Sequence, residues 1–218
     1  MKSNEYVKIG RVLFAASITY LISIILFIFT PIIVKHLYNS YIMAFIIRTI
    51  SSFCMSIIIF SLFLIGFSKS DLKLQHLIAF SSLIAFFVLV IFCYTSQFVF
   101  LNSIMLYEYR SIHLYFISKG LDITYLLLLG YFFWSIGSLI IALQFLQLKE
   151  VEKSVGGILL ITAIIIAFLF ISLFFINEND IKNIVDDMQI VIGGLIFIPF
   201  IAGSLLLGNR YKKVDLIL

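Results

Sequence analysis

Charge is scarce in this chain. Asp, Glu, Lys and Arg make up 12% of its 218 residues, about half the roughly 25% of an ordinary soluble domain. No soluble packing hides the 63% that is hydrophobic, which excludes a soluble α/β enzyme. Proline is nearly absent, at two residues; with so apolar a composition this excludes a disordered chain and leaves long stretches with nothing to break a helix. The two cysteines, Cys54 and Cys93, are too few for a disulfide-stapled secreted module and form no CxxC pair for thiol redox chemistry. His36, His76 and His113 are isolated and supply neither HExxH nor HxxxH spacing, so intramembrane zinc proteolysis is excluded. No GxSxG element and no paired aspartates offer another hydrolytic route. A di-iron carboxylate centre would need several inward Glu and His residues, and these are missing too. The sequence therefore predicts no enzyme, no catalytic residue, no metal site and no cofactor.

What is abundant is oil-soluble surface. A membrane-crossing helix takes about 20 apolar residues, and six such runs occur, over residues 12–34, 43–67, 77–100, 122–147, 155–176 and 188–208. The runs are continuous and do not alternate apolar with polar, which favours helices over an outer-membrane barrel. They leave only two tails and five connections. The predicted fold is all-α, a polytopic bundle of six transmembrane helices forming a single domain over residues 1–218. The first run follows a basic start but is too long for the roughly 7–15 apolar residues of a signal peptide, and no small-residue cleavage site follows it, so it is read as a retained span.

Orientation comes from Lys and Arg near the span ends, because positively charged loops resist translocation. With six spans, one side of the membrane carries Lys2, Lys8, Arg11, Lys69, Lys73, Lys149, Lys153, Arg210, Lys212 and Lys213. The other carries Lys35, Arg110, Lys119 and Lys182. Both termini are therefore expected in the cytoplasm, in a multi-pass protein of the cell membrane. The pI near 9.0 then needs no nucleic acid, since basic residues facing anionic lipid account for it. Tyr38, Tyr41, Tyr94, Tyr107, Tyr109, Tyr115 and Tyr125 fall at the outward side as an aromatic belt, with Tyr6 and Tyr211 on the inner side.

Ionisable and amide side chains inside spans are the candidates for function. Arg48 lies five residues inside the outer edge of the second span, about 7 or 8 Å deep at 1.5 Å per residue. It is expected to snorkel or to pair with a carboxylate such as Asp122 or Glu108, and alternatively to face a substrate. Gln97 and Gln144 are the other candidates for a polar cavity. Asp122 opens the fourth span, where a carboxylate caps free backbone N–H groups. Pro199 interrupts the sixth span and cannot donate to the carbonyl of Leu195, which predicts a kink. Residues 101–121 form a long outward connection, either an interfacial helix or a lid. Lys149 to Lys153 is expected to be a solvated connector, and Cys54 and Cys93 to be packing residues.

Small residues recur every four positions at Ala15, Thr19 and Ser23, at Ser52 and Ser56, at Ser81 and Ala85, at Ser138 and Ala142, and at Ala163 and Ala167, with Gly130 and Gly137 marking a similar seam. Such faces let helix backbones approach closely. Partners implied are the lipid bilayer and, through these faces, a second copy or other membrane proteins.

The elements Tyr131-Phe132-Phe133-Trp134, Lys149 to Lys153, Gly156-Gly157 and Gly193-Gly194 through Arg210 together resemble the C-terminal halves of small prokaryotic integral membrane families of unknown function. The resemblance covers about a third of the chain and implies a six-span protein. It carries no functional residue over to these positions. The expected role is a non-enzymatic membrane accessory or scaffold component; the alternative is a small transporter or channel with a polar cavity near Arg48.

Overall fold

The structure, a computed structural model, describes residues 3–33, 37–69, 73–104, 129–148, 150–172 and 197–212. Apart from a short turn after Leu146, all of these are helical: α1 (Ser3–Ile33), α2 (Leu37–Lys69), α3 (Lys73–Ile104), α4 (Leu129–Leu146), α5 (Glu150–Ser172) and α6 (Phe197–Lys212). No strand occurs among the described residues. Five helices, α1 to α5, are long and apolar enough to cross a membrane, while the described part of α6 has 16 residues.

The helices overrun the apolar runs that announce them. With 31 residues, α1 is about 46 Å long at 1.5 Å per residue, against roughly 30 Å of hydrocarbon, so its polar first turns project beyond the oil. α2 starts at Leu37, six residues before the expected span. Tyr38, Asn39 and Ser40 are only mildly unfavourable in a helix, and no Gly or Pro stands there to stop it. α3 runs on to Ile104, so the connection expected at 101–121 opens as helix, and the rest of it lies outside the described residues.

Helices adjacent in sequence pack together, and α1 also packs along α6. α4 sits inside this arrangement, touching four neighbours. Trp134, fully buried, meets Phe197 and Phe200 of α6 edge-on at 5.1 and 5.7 Å between ring centroids. Tyr131 tilts against Phe86 of α3 at 5.7 Å. A Cβ at Gly137 would lie 2.8 Å from Leu83 of α3, and one at Gly156 of α5 would lie 2.8 Å from the Cβ of Phe145. Near its other end Gln144 faces Gly66 of α2. Within α4 only Leu143 is exposed.

The perimeter is apolar. Leu77, Ile84, Val88 and Phe92 of α3 and Ile161, Ile164 and Phe168 of α5 are exposed, a surface that water would penalise and lipid tails accept. Most Ser and Thr hydroxyls within the helices bond to their own helix, as oil favours. Ser17 donates to the Leu13 carbonyl at 2.8 Å, Ser61 to Ile57 at 2.7 Å, Thr162 to Ile158 at 2.9 Å and Ser204 to Phe200 at 2.9 Å. The small-residue faces are buried at Ser52, Ser56, Ser138, Ala142 and Ala163. On α1, however, Ala15 and Thr19 are exposed and only Ser23 of that trio is buried.

Candidate functional site

Among the described residues, a polar assembly lies where α1 and α5 begin and α2 and α6 end. Backbone proximity creates it. A Cβ at Gly208 would fall 2.8 Å from the Phe14 amide nitrogen and 3.0 Å from the Gly10 carbonyl oxygen, and one at Gly10 would fall 2.6 Å from the Tyr211 Cβ. Because both positions are glycine, α1 and α6 cross with their backbones nearly touching. That crossing lets Tyr6 and Tyr211 stack, with centroids 5.6 Å apart and planes 15° apart.

Each ring then delivers its hydroxyl to another helix. Tyr211 donates to Glu152 Oε1 of α5 at 2.9 Å. Ser68 of α2 donates its proton to the Ile65 carbonyl at 2.8 Å, so at the 2.7 Å contact between Tyr6 and Ser68 the tyrosine is the donor. Arg210 closes the group, with Nη2 2.7 Å from Glu150 Oε2 and Nη1 3.6 Å from Glu152 Oε2. Lys212 Nζ lies 3.5 Å above the Phe14 ring, a cation–π contact. Acids at the start of α5 and bases at the end of α6 also complement the two helix dipoles.

Burial sets the electrostatics of this clasp. Glu152 is 7% exposed, a buried carboxylate met by a phenol and a guanidinium, the kind of partners a buried charge requires. Desolvation, and then the neighbouring Glu152 charge, push the Tyr211 phenol far above its usual range, so it remains a proton donor at any physiological pH. Arg210 is held above its ordinary value chiefly by its hydrogen bond to Glu150. Glu150 itself has φ 54°, a left-handed backbone that costs a non-glycine residue of order 1–3 kcal/mol. The Lys149 to Lys153 segment is thus no solvated connector throughout: Glu152 faces inward because its position on α5 points at Tyr211.

A second polar feature runs along α4. The Trp134 indole nitrogen, the Ser138 hydroxyl and both amide atoms of Gln144 are buried without a hydrogen-bond partner. Ser138 is fully buried and Gln144 is 3% exposed. Gly66 makes room for the Gln144 amide, since a Cβ there would lie 2.7 Å from Oε1.

Of the residues singled out in the sequence, Gln144 is buried on α4. Arg48 lies on α2 and Gln97 on α3, but their side chains are outside the described residues, as is Asp122 altogether. The convergence of Arg48, Gln97 and Gln144 is therefore not part of the described structure. Pro199 is the third residue of α6 and exposed; Leu195, whose carbonyl it would leave without a donor, is outside the described residues. Cys54 and Cys93 form no disulfide and are buried. No group of three or more His, Cys, Asp or Glu residues suited to a metal occurs among the described residues.

Sequence reasoning missed the Glu152–Tyr211–Arg210 clasp. Its one signal was the pairing of two acids at the head of one span with basic and aromatic residues at the tail of the next. No protein-family model, curated protein or solved structure matches the chain, so the helices and their polar contacts are what bear on its role.

Proposed function

We propose that this protein is a six-span component of the cell membrane, with both ends in the cytoplasm, that works as a non-enzymatic accessory or scaffold through lateral contacts with its own copies or with other membrane proteins. The observation that carries this reading is the filled interior. Trp134, Phe86, Phe145, Phe197 and Phe200 are each at most 1% exposed, and most interior hydroxyls are spent on their own helix. Such a bundle offers its neighbours a surface. On that surface the exposed pair Ala15 and Thr19 provides a shallow step where another helix can approach.

A second reading, a small transporter or channel, is favoured by one observation, the enclosed amide of Gln144 on the central helix. Water separates the two. Cys54 and Cys93 are buried on α2 and α3, so a membrane-impermeant maleimide applied to either face of intact vesicles reports whether solvent enters the bundle. Under the scaffold reading neither cysteine reacts until detergent denatures the protein. Labelling of either in the native membrane reveals a hydrated interior and moves support to transport.

A further inference from the structure

We infer that Arg11 of α1 and Lys212 of α6 form a docking site for the headgroup of an anionic phospholipid. The inference needs neither the scaffold nor the transport reading, only that α1 crosses a bilayer. Its first support is how the two cations are fixed. Lys212 Nζ lies 3.5 Å above the Phe14 ring, and its backbone is held beside α1, where a Cβ at Gly10 would meet the Lys212 nitrogen at 2.9 Å. Arg11 is exposed and precedes Phe14 by one turn, a spacing that makes neighbours on a helix surface. Two positive charges from different helices thus flank one ring. Like charges brought together repel, and an anion between them relieves the repulsion.

The second support is where the nearby acids point. Glu150 and Glu152 are engaged by Arg210 and Tyr211. The one acid of α1, Glu5, stands one turn before Lys8 and so neighbours that lysine. From Arg11 it is about 9 Å away along the axis, at 1.5 Å per residue. Among the described residues, positive charge therefore predominates around Phe14.

Depth decides which anion fits. No charged residue occurs from Val12 to Val34, so Arg11 stands at the boundary where hydrocarbon gives way to headgroups. Beyond it the same face of α1 continues through Ile18 and Ile22, both exposed, since steps of seven and eleven residues return close to the starting angle of the helix. Cations at the boundary with an apolar stripe beneath them match a molecule that joins a phosphate to acyl chains, and a soluble phosphate would leave the stripe unused. The guanidinium fork takes two phosphate oxygens side by side, and the ammonium adds a point charge.

The test is native mass spectrometry of the detergent-solubilised full chain titrated with phosphatidylglycerol, which has a net negative charge, or phosphatidylcholine, which has none. Wild type is expected to bind the first more tightly. Arg11→Gln and Lys212→Gln should each weaken phosphatidylglycerol binding about fivefold, the order of one interfacial cation, and so narrow its lead over phosphatidylcholine. Lys153→Gln is the control. Lys153 is exposed near the start of α5, at the same end of the bundle but off the crossing of α1 with α6, and its loss should leave binding as in wild type. Equal affinity for the two lipids overturns the proposal. So does a Lys153→Gln protein weakened as much as the other two, since net charge without a site would then explain the binding. Glycerol 3-phosphate offers the phosphate without the chains; if it displaces the lipid at matching concentration, the lipid assignment fails. Arg11 and Lys212 sit on different helices, so a variant that failed to fold would leave the other to decide.

Discussion

Tyr211 does two things at once: its ring stacks on Tyr6 and its hydroxyl satisfies a buried carboxylate. Substitutions separate the two. Tyr211→Phe keeps the stack and removes the phenol's hydrogen bond to Glu152 Oε1, at a cost of about 1–3 kcal/mol for a buried acceptor that loses a donor. Tyr211→Ala also loses the ring and should cost about 3–5 kcal/mol. Thermal unfolding of the purified protein should therefore rank wild type above Tyr211→Phe above Tyr211→Ala. The pH dependence has a definite sign. The folded-state phenol is pushed well above its ordinary value. Below about pH 10, the usual tyrosine value, both states keep the proton and nothing changes. Above it the unfolded chain releases its proton while the folded chain does not, so stability falls. Melting curves from about pH 8 to about pH 11 should steepen in wild type relative to Tyr211→Phe; equal slopes would mean that the phenol is not held protonated.

At the scale of the helix, the doublet Gly156-Gly157 tests whether close approach or flexibility explains these glycines. A Cβ at Gly156 would meet Phe145 Cβ at 2.8 Å and the Leu146 nitrogen at 3.0 Å, whereas at Gly157 nothing lies within 4 Å. Gly156→Ala should thus destabilise by about 1–3 kcal/mol through overpacking. Gly157→Ala should be neutral or stabilise by up to about 1 kcal/mol through helix propensity. Opposite effects of two adjacent substitutions on thermal unfolding are the expected result; equal effects would remove the α4–α5 contact from the account. The doublet also marks where sequence reading stops. Five spans are readable because oil demands long apolar runs, and the Gly130 and Gly137 seam is readable from its spacing. Which face of a span points inward is not. On α3 the buried Leu83, Phe86 and Val90 and the exposed Ile84, Val88 and Phe92 are chemically alike, because core and lipid ask for the same side chains. The clasp was hidden for another reason: Tyr6, Ser68, Glu152 and Tyr211 come from four helices, and only the tertiary crossing at Gly10 and Gly208 brings them together.

For the whole molecule the question is how many times the chain crosses and which way it faces. The stack of Tyr6 on Tyr211 puts the start of α1 and the end of α6 together, and the six-span proposal, with its even number of crossings, agrees with that. The proposed orientation rests on basic residues: Lys8 and Arg11 are exposed there, as is Arg210, and positive charge favours the cytoplasmic side. A reporter that fluoresces only when folded in the cytoplasm should therefore work when fused to either terminus, and a phosphatase active only outside should work when inserted after Glu108, in the connection between α3 and α4. Termini reporting from opposite faces would contradict the Tyr6–Tyr211 contact as well as the six-span reading. Both termini reporting from outside would leave the clasp intact and overturn only the orientation. The two errors are distinguishable because parity rests on an aromatic contact inside the protein, while orientation rests on charges interacting with the membrane.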